Sequence, residues 1–202
     1  LRDVGVYSSK AVAKEKIRIF MKTNMLELVQ DEINKVADDP KIANNPMLST
    51  VEIQKRTSEI FAKMDNETDN IKLCQKFFAS SESSNGNLTL ESALNNGITS
   101  VMLDEYYQFA KFKYDCGMYS EAEEMLGKYL SISQPQTSTV LGALWGRLAC
   151  RILQAKWELS LSDFQAVKEA IENRSIAPMD QLRQRGWLLH WGLFVLLNQK
   201  DG

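Results

Sequence analysis

One imidazole, His190, and three thiols, Cys74, Cys116 and Cys150, are the groups from which zinc or nucleophilic chemistry would have to be assembled. The thiols lie far apart with no CxxC pair, and a single histidine cannot complete a ligand set, so no metal site is expected. His190 stands between Leu189 and Trp191 in an apolar run, the setting of a structural histidine rather than a general base. A general acid/base pair would need a pocket; Asp163, Glu169 and Glu172 read instead as helix-surface carboxylates. No phosphate-binding GxxxxGK loop, GxGxxG or GxSxG occurs. No catalytic, cofactor-binding or metal-ligating residue is assigned, and the chain reads as a non-enzyme with no small-molecule substrate.

Nucleic-acid chemistry has one candidate, the aromatic series Tyr106, Tyr107, Phe109, Phe112 and Tyr114, which would serve as stacking platforms for single-stranded RNA if it faced solvent. Aromatics at helical spacing beside Ala110 and Gly117 are also what the packing of two helices requires, and Lys111 and Lys113 alone do not form an electrostatic funnel. Packing is the preferred reading. The formal charge of -2 and pI near 5.6 give no footprint for nucleic acid or an anionic membrane. Lys10, Lys14, Lys16 and Arg18, and again Arg147 and Arg151, alternate with apolar residues as a solvated helix face would. Trp145, Trp157, Trp187 and Trp191 read as core wedges first and interface anchors second.

The elements that hold these residues follow from composition and period. Of 202 residues, 44% are hydrophobic, while 4 Pro and 10 Gly are too few for a loop-rich β protein. Apolar residues recur at i, i+3, i+4 and i+7, so an all-α fold is expected. The first helix spans about Ser9 to Met21 with Val12, Ile17 and Phe20 inward; a second follows from about Asn24 with Leu28, Ile33 and Val36. Asp38, Asp39, Pro40, Asn44, Asn45 and Pro46 mark a loop. Ser49 and Glu52 have the form of a capping box opening a helix with Ile53, Ile60 and Phe61, and an amphipathic stretch spans Ile71 to Phe78. Ser80 to Asn87 is the most linker-like segment. It closes an N-terminal helical region, 1–95, ahead of a second region, 96–202.

Tyr106 to Leu126 predicts a helix, a tight turn and a second helix. Ala110 allows close approach, Gly117 is a left-handed cap, Ser120 and Glu123 form a capping box, and Tyr106, Phe109, Tyr114, Tyr119, Ala122 and Leu126 make the seam. This resembles the tetratricopeptide repeat, with Lys113 and Tyr129 departing from its pattern. A more degenerate unit follows on Leu144, Leu148, Ile152, Trp157, Phe164 and Val167. There Ser162 and Gln165 are the capping pair, Gly is missing from the turn and Ala155 stands nearby. A final helix spans Pro178 to about Asn198. From Trp187 to Leu197 every residue except His190 and Gly192 is apolar, so this helix needs cover on all sides, although the run is about half the ~20 residues that span a bilayer.

The order YYQFAKFKYDCGMYSEAEEML, LWGRLACRILQAKW, QLRQRGWLLHWGLFVLLN is similar to the helical-repeat half of PCI-domain proteins. Within that group the similarity is to the e-subunit family of eukaryotic translation initiation factor 3. KTNMLEL, Lys22 to Leu28, fits as well; residues 38–100 match least. The resemblance implies a right-handed solenoid of antiparallel helix pairs and a non-catalytic scaffold. Its partners would be other subunits of translation initiation factor 3 and, through the complex, the small ribosomal subunit, with indirect mRNA contact. Scaffolds of the proteasome lid or the COP9 signalosome, which share the fold, and an RNA-binding helical module are the alternatives. In PCI proteins a winged-helix half follows the repeats, and this sequence stops at Gly202 before it. Leu1 in place of an initiator Met marks a piece of something longer. An odd cysteine count without a signal-like run points to the cytosol or nucleus, where the sequons at Asn66, Asn87 and Asn173 are chance matches.

Overall fold

The computed structural model describes residues 7–83, 88–134, 138–174 and 177–199. Among them lie eleven α-helices, one short 3-10 helix and no strand, so the chain is all-α, as its apolar period requires. It divides into two compact units, 1–67 with 115–117, and 68–114 with 118–202.

The first unit contains α1 (Ser9–Phe20), α2 (Leu26–Asn34), α3 (Pro40–Ala43), a 3-10 turn (Pro46–Leu48) and α4 (Thr50–Asp65). Its core is Ala13, Ile17, Leu26, Val29, Val36 and Ile53, with Phe20 and Ile33 at the margin. Leu28 is exposed; the inward face of α2 is rotated one residue, onto Val29. The stretch from Asp38 to Pro46, expected as a loop, holds two short helical turns instead. The side chains of Asp39 and Asn45 cap them, accepting from the N–H groups of Lys41 at 2.9 Å and Met47 at 3.0 Å, with proline at the first helical position. Ser49 does cap α4, its Oγ accepting from Glu52 N–H at 3.3 Å.

The second unit contains α5 (Asp69–Ser83), α6 (Leu90–Asn95), α7 (Ser100–Asp115), α8 (Tyr119–Ile132), α9 (Ser138–Leu153), α10 (Trp157–Glu172) and α11 (Pro178–Leu197). α8 packs on α9, α9 on α10 and α10 on α11. One core, from Ile71 to Cys150, joins α5 to α9; another, with Leu148, Val167, Ile171, Leu188 and Val195, joins α9 to α11. The Ser80–Asn87 segment, read as a linker, begins inside α5. Ser80 and Ser81 turn their hydroxyls back to the Phe77 carbonyl at 2.8 and 3.0 Å, which lets serine continue a helix; residues 84–87 lie outside the described residues.

Three helix ends share one geometry. After α6, α7 and α9 the next residue but one is left-handed: Gly97 at φ 78°, Gly117 at φ 81° and Ala155 at φ 56°. In each, the following N–H reaches back five residues, from Ile98 to Ala93, Met118 to Lys113 and Lys156 to Arg151, at 2.9 to 3.0 Å. This is the Schellman closure, which satisfies carbonyls that a helix end leaves open. The expected left-handed cap at Gly117 is present. Ala155 occupies the same position in the second turn, in a conformation that costs an L-residue about 1–2 kcal/mol.

Two expected capping boxes are not caps. α8 begins at Tyr119 after Met118, and α10 begins at Trp157 after Lys156. Ser120 and Ser162 both lie inside helices; Ser162 Oγ donates to the Leu159 carbonyl at 2.8 Å. The Schellman turns place the helix starts, which leaves Ser120 as the second residue of α8 and Ser162 as the sixth of α10.

Candidate interaction surface

Of the residues capable of chemistry, the aromatic series and two of the thiols are packing residues. Tyr106, Tyr107 and Phe109 are buried, and Phe112 and Tyr114, half-buried, pack against the same core, so the series serves helix packing. Tyr107 lies 5.2 Å from Tyr129, ring to ring, and Tyr129 Oη is 2.6 Å from Thr139 Oγ1. Cys74 and Cys150 are fully buried. Burial pushes their thiols up to about 11 and about 12, the neighbouring Glu105 and Glu123 adding to the effect, so neither supplies a thiolate near neutral pH. Among the described residues no group of three or more His, Cys, Asp or Glu could hold a metal ion, and no helix is long and apolar enough to cross a membrane.

Asp163 is not the surface carboxylate its spacing implies. It is 1% exposed and takes Arg147 and Arg151, which the sequence placed on a solvated face. Burial raises its carboxyl above the ordinary aspartate value against the pull of both guanidiniums. Glu169 and Glu172 are exposed or nearly so; Arg185 Nε donates to Glu172 Oε1 at 2.8 Å and holds that carboxyl below the usual glutamate value.

Among the described residues α11 carries more exposed large hydrophobic side chains than any other helix. Its inward side is Gln181, Gln184, Leu188, Trp191, Gly192 and Val195, continued past the helix end by Gln199. Three amides pin that side. Gln181 Nε2 donates to the Ile171 carbonyl at 3.1 Å, Gln199 Nε2 donates to the Trp157 carbonyl at 3.0 Å, and Gln184 Oε1 accepts from Trp145 Nε1 at 2.7 Å. The outward side holds Leu182, Leu189, Leu193, Leu196 and Leu197, with Leu189 71% and Leu197 80% exposed. Leu182, Gly186, Leu189, Leu193 and Leu196 alternate by four and three residues, the spacing of a seam that receives another helix. Trp187, expected as a core wedge, is 53% exposed and borders this seam. His190 is exposed and lies edge-on to Trp191 and Phe194, ring to ring at 5.9 and 5.8 Å.

The fold and this surface define the class: an all-α helical-repeat protein whose prominent surface feature is an apolar helix face. Comparison with known proteins shows what the chain is similar to. The chain is homologous, over nearly its whole length, to the E subunits of eukaryotic translation initiation factor 3. It is 30% identical to the one from Aspergillus terreus over 203 aligned residues, covering 96% of this chain and 43% of the relative. The Brugia malayi protein is 29% identical, with 98% and 45% covered, and the Arabidopsis thaliana protein 28% identical, with 100% and 46% covered. The chain thus spans less than half the length of these relatives. No family model matches it.

Proposed function

We propose that the chain is a non-catalytic scaffold portion of translation initiation factor 3, a right-handed helix-pair stack that holds other subunits on the small ribosomal subunit and assists mRNA recruitment in the cytoplasm. The similarity to the E subunits carries this reading, and the exposed outer side of α11 supports it. In the PCI architecture that the sequence resembles, the 96–202 repeats lead into a winged-helix half. The outer side of α11 is the surface that such a following element covers. A strip of leucines beside Trp187 suits a helix face rather than a polar ligand.

Affinity purification of the tagged protein with mass spectrometry tests the assignment. Subunits of translation initiation factor 3 and of the small ribosome should be recovered together. Recovery of proteasome-lid or COP9 signalosome subunits in their place would overturn it, and an affinity for RNA that falls steeply with salt would favour a nucleic-acid module.

A further inference from the structure

Four glycines lie inside α9 and α11, and the chain's own packing accounts for three of them. A Cβ on Gly142 would fall 2.5 Å from Tyr107 Oη, one on Gly146 3.0 Å from Leu126 Cδ1 and one on Gly192 2.7 Å from Phe164 Cε2. Gly186 is the exception: it is exposed, and a Cβ there would meet nothing within 4 Å. Glycine is, after proline, the residue least suited to a helix interior, and no side chain of the described residues comes near enough to require it here. Gly186 stands on the outer seam of α11, between Leu182 and Leu189.

That seam is its own complement when reversed end to end. Turned about Leu189, Leu182 of one copy faces Leu196 of the other, and the gap at Gly186 faces Leu193, so a leucine enters the space that a glycine leaves on the facing helix. The parallel arrangement sets Gly186 against Gly186 and leaves that space empty. Charge favours the reversed arrangement as well. The three charged residues of α11, Asp180, Arg183 and Arg185, all precede Gly186. In a parallel pair the arginines lie side by side and repel. In the reversed pair the two Arg183 residues stand about 20 Å apart along the axis, beyond the screening length of ~8 Å at physiological salt, each beside a helix end whose dipole favours cations. Area suffices too: covering the five exposed leucines of the outer side and Trp187 removes on the order of 700 Å² from each copy, inside the range of about 600–1,000 Å² per partner of a standard-size interface.

We propose that the outer side of α11 is a homotypic interface on which two copies of this chain pair antiparallel about Leu189, with Leu193 of each seated over Gly186 of the other. The pair covers the apolar side that α10 leaves bare, and it excludes any other helix from the same seam. The inference goes beyond the translation-factor reading and does not depend on it: a following element or another subunit that takes the seam separates the pair.

Sedimentation velocity of the 202-residue chain over rising concentration should show a monomer passing to a dimer and no larger species; a parent that stays monomeric, or runs on to larger aggregates, overturns the pairing. Gly186→Leu separates the pair from unspecific hydrophobic clustering. Its Cβ meets no atom of its own chain within 4 Å and leucine is the better helix former, so helical circular dichroism and Tm should hold or rise while the exposed apolar area grows. Clustering would therefore strengthen, whereas the pair, its gap filled, should weaken roughly tenfold or more in Kd. Dimerisation of G186L at the parent's Kd or tighter would overturn the proposal. Disulfide capture in a Cys116→Ser background, where the remaining Cys74 and Cys150 are buried, reads the orientation. A mixture of Leu182→Cys and Leu196→Cys chains should yield a covalent dimer that neither variant forms alone. Capture of either variant alone, or none in the mixture, would overturn the antiparallel placement, and should G186L not fold, the capture experiment decides.

Discussion

Gly192 lies so close over the ring of Phe164 that a Cβ there would fall 2.7 Å from Phe164 Cε2. α10 and α11 therefore meet backbone to ring. The close approach is what allows Leu188 and Val195 on either side of Gly192 to reach the core with Val167 and Ile171.

Gly192→Val should accordingly loosen α11. Valine gains a few tenths of a kcal/mol in helix propensity over glycine, but overpacking a tight contact costs about 1–3 kcal/mol. The clash wins, and Tm should fall by roughly 2–4 °C for each kcal/mol lost. A Tm equal to that of the parent in a thermal melt would show that Phe164 can move aside.

Gly117 and Ala155 occupy the same position of the same turn, so substitutions there should act with opposite sign. Ala155→Gly removes a left-handed penalty of about 1–2 kcal/mol at an entropic cost of ~0.5–1, for a net gain of about 0.5–1 kcal/mol. Gly117→Val imposes the penalty, roughly 1 kcal/mol or more, and sets a Cβ 3.0 Å from Met25 Sδ. Urea midpoints measure both; a shift of the same sign in the two variants would contradict the shared geometry.

Acid should act on the two carboxylates that meet Arg151, Glu123 and Asp163, with opposite signs. Burial pushes Glu123 up, yet Lys156, Arg151 and Gln154 outweigh it and hold the carboxyl below its ordinary 4.5. Its stabilising effect is complete above that value and lost as pH falls through the lower folded value. Burial holds Asp163 above its ordinary 3.8, so its own contribution improves on acidification. Between about pH 6 and pH 3, Glu123→Gln should lessen the fall of Tm and Asp163→Asn should steepen it. Parallel curves for parent and both variants would show that neither group titrates differently in the folded chain.

The bare outer side of α11 should make the chain bind a hydrophobic dye and associate with itself as concentration rises. Leu189→Glu combined with Leu193→Glu should reduce both, with helical content unchanged, since these side chains are 71% and 52% exposed. Sedimentation velocity reads the association. A monomeric, dye-negative parent would place the apolar side of α11 under cover from the chain itself.

By itself the amino-acid sequence determined the helical class, the position of α1 and α11 within a few residues, the left-handed cap at Gly117 and the apolar excess of the last helix. Each of these rests on near neighbours along the chain, through a 3.6-residue period or a turn residue, and local spacing is visible in a string of letters. The tertiary structure alone decided which equivalent residues differ. Asp163 and Glu169 both sit on α10, yet only Asp163 is turned into α9, where Arg147 and Arg151 meet it. Ser49 and Ser120 both precede a glutamate by three, yet only Ser49 caps, because the Schellman turn at Gly117 starts α8 before Ser120. Gly142, Gly146 and Gly192 look like weak points of helices until Tyr107, Leu126 and Phe164 are packed against them. Burial, charge pairing and close approach are properties of surfaces brought together from distant parts of the chain, and no window along the sequence contains both partners.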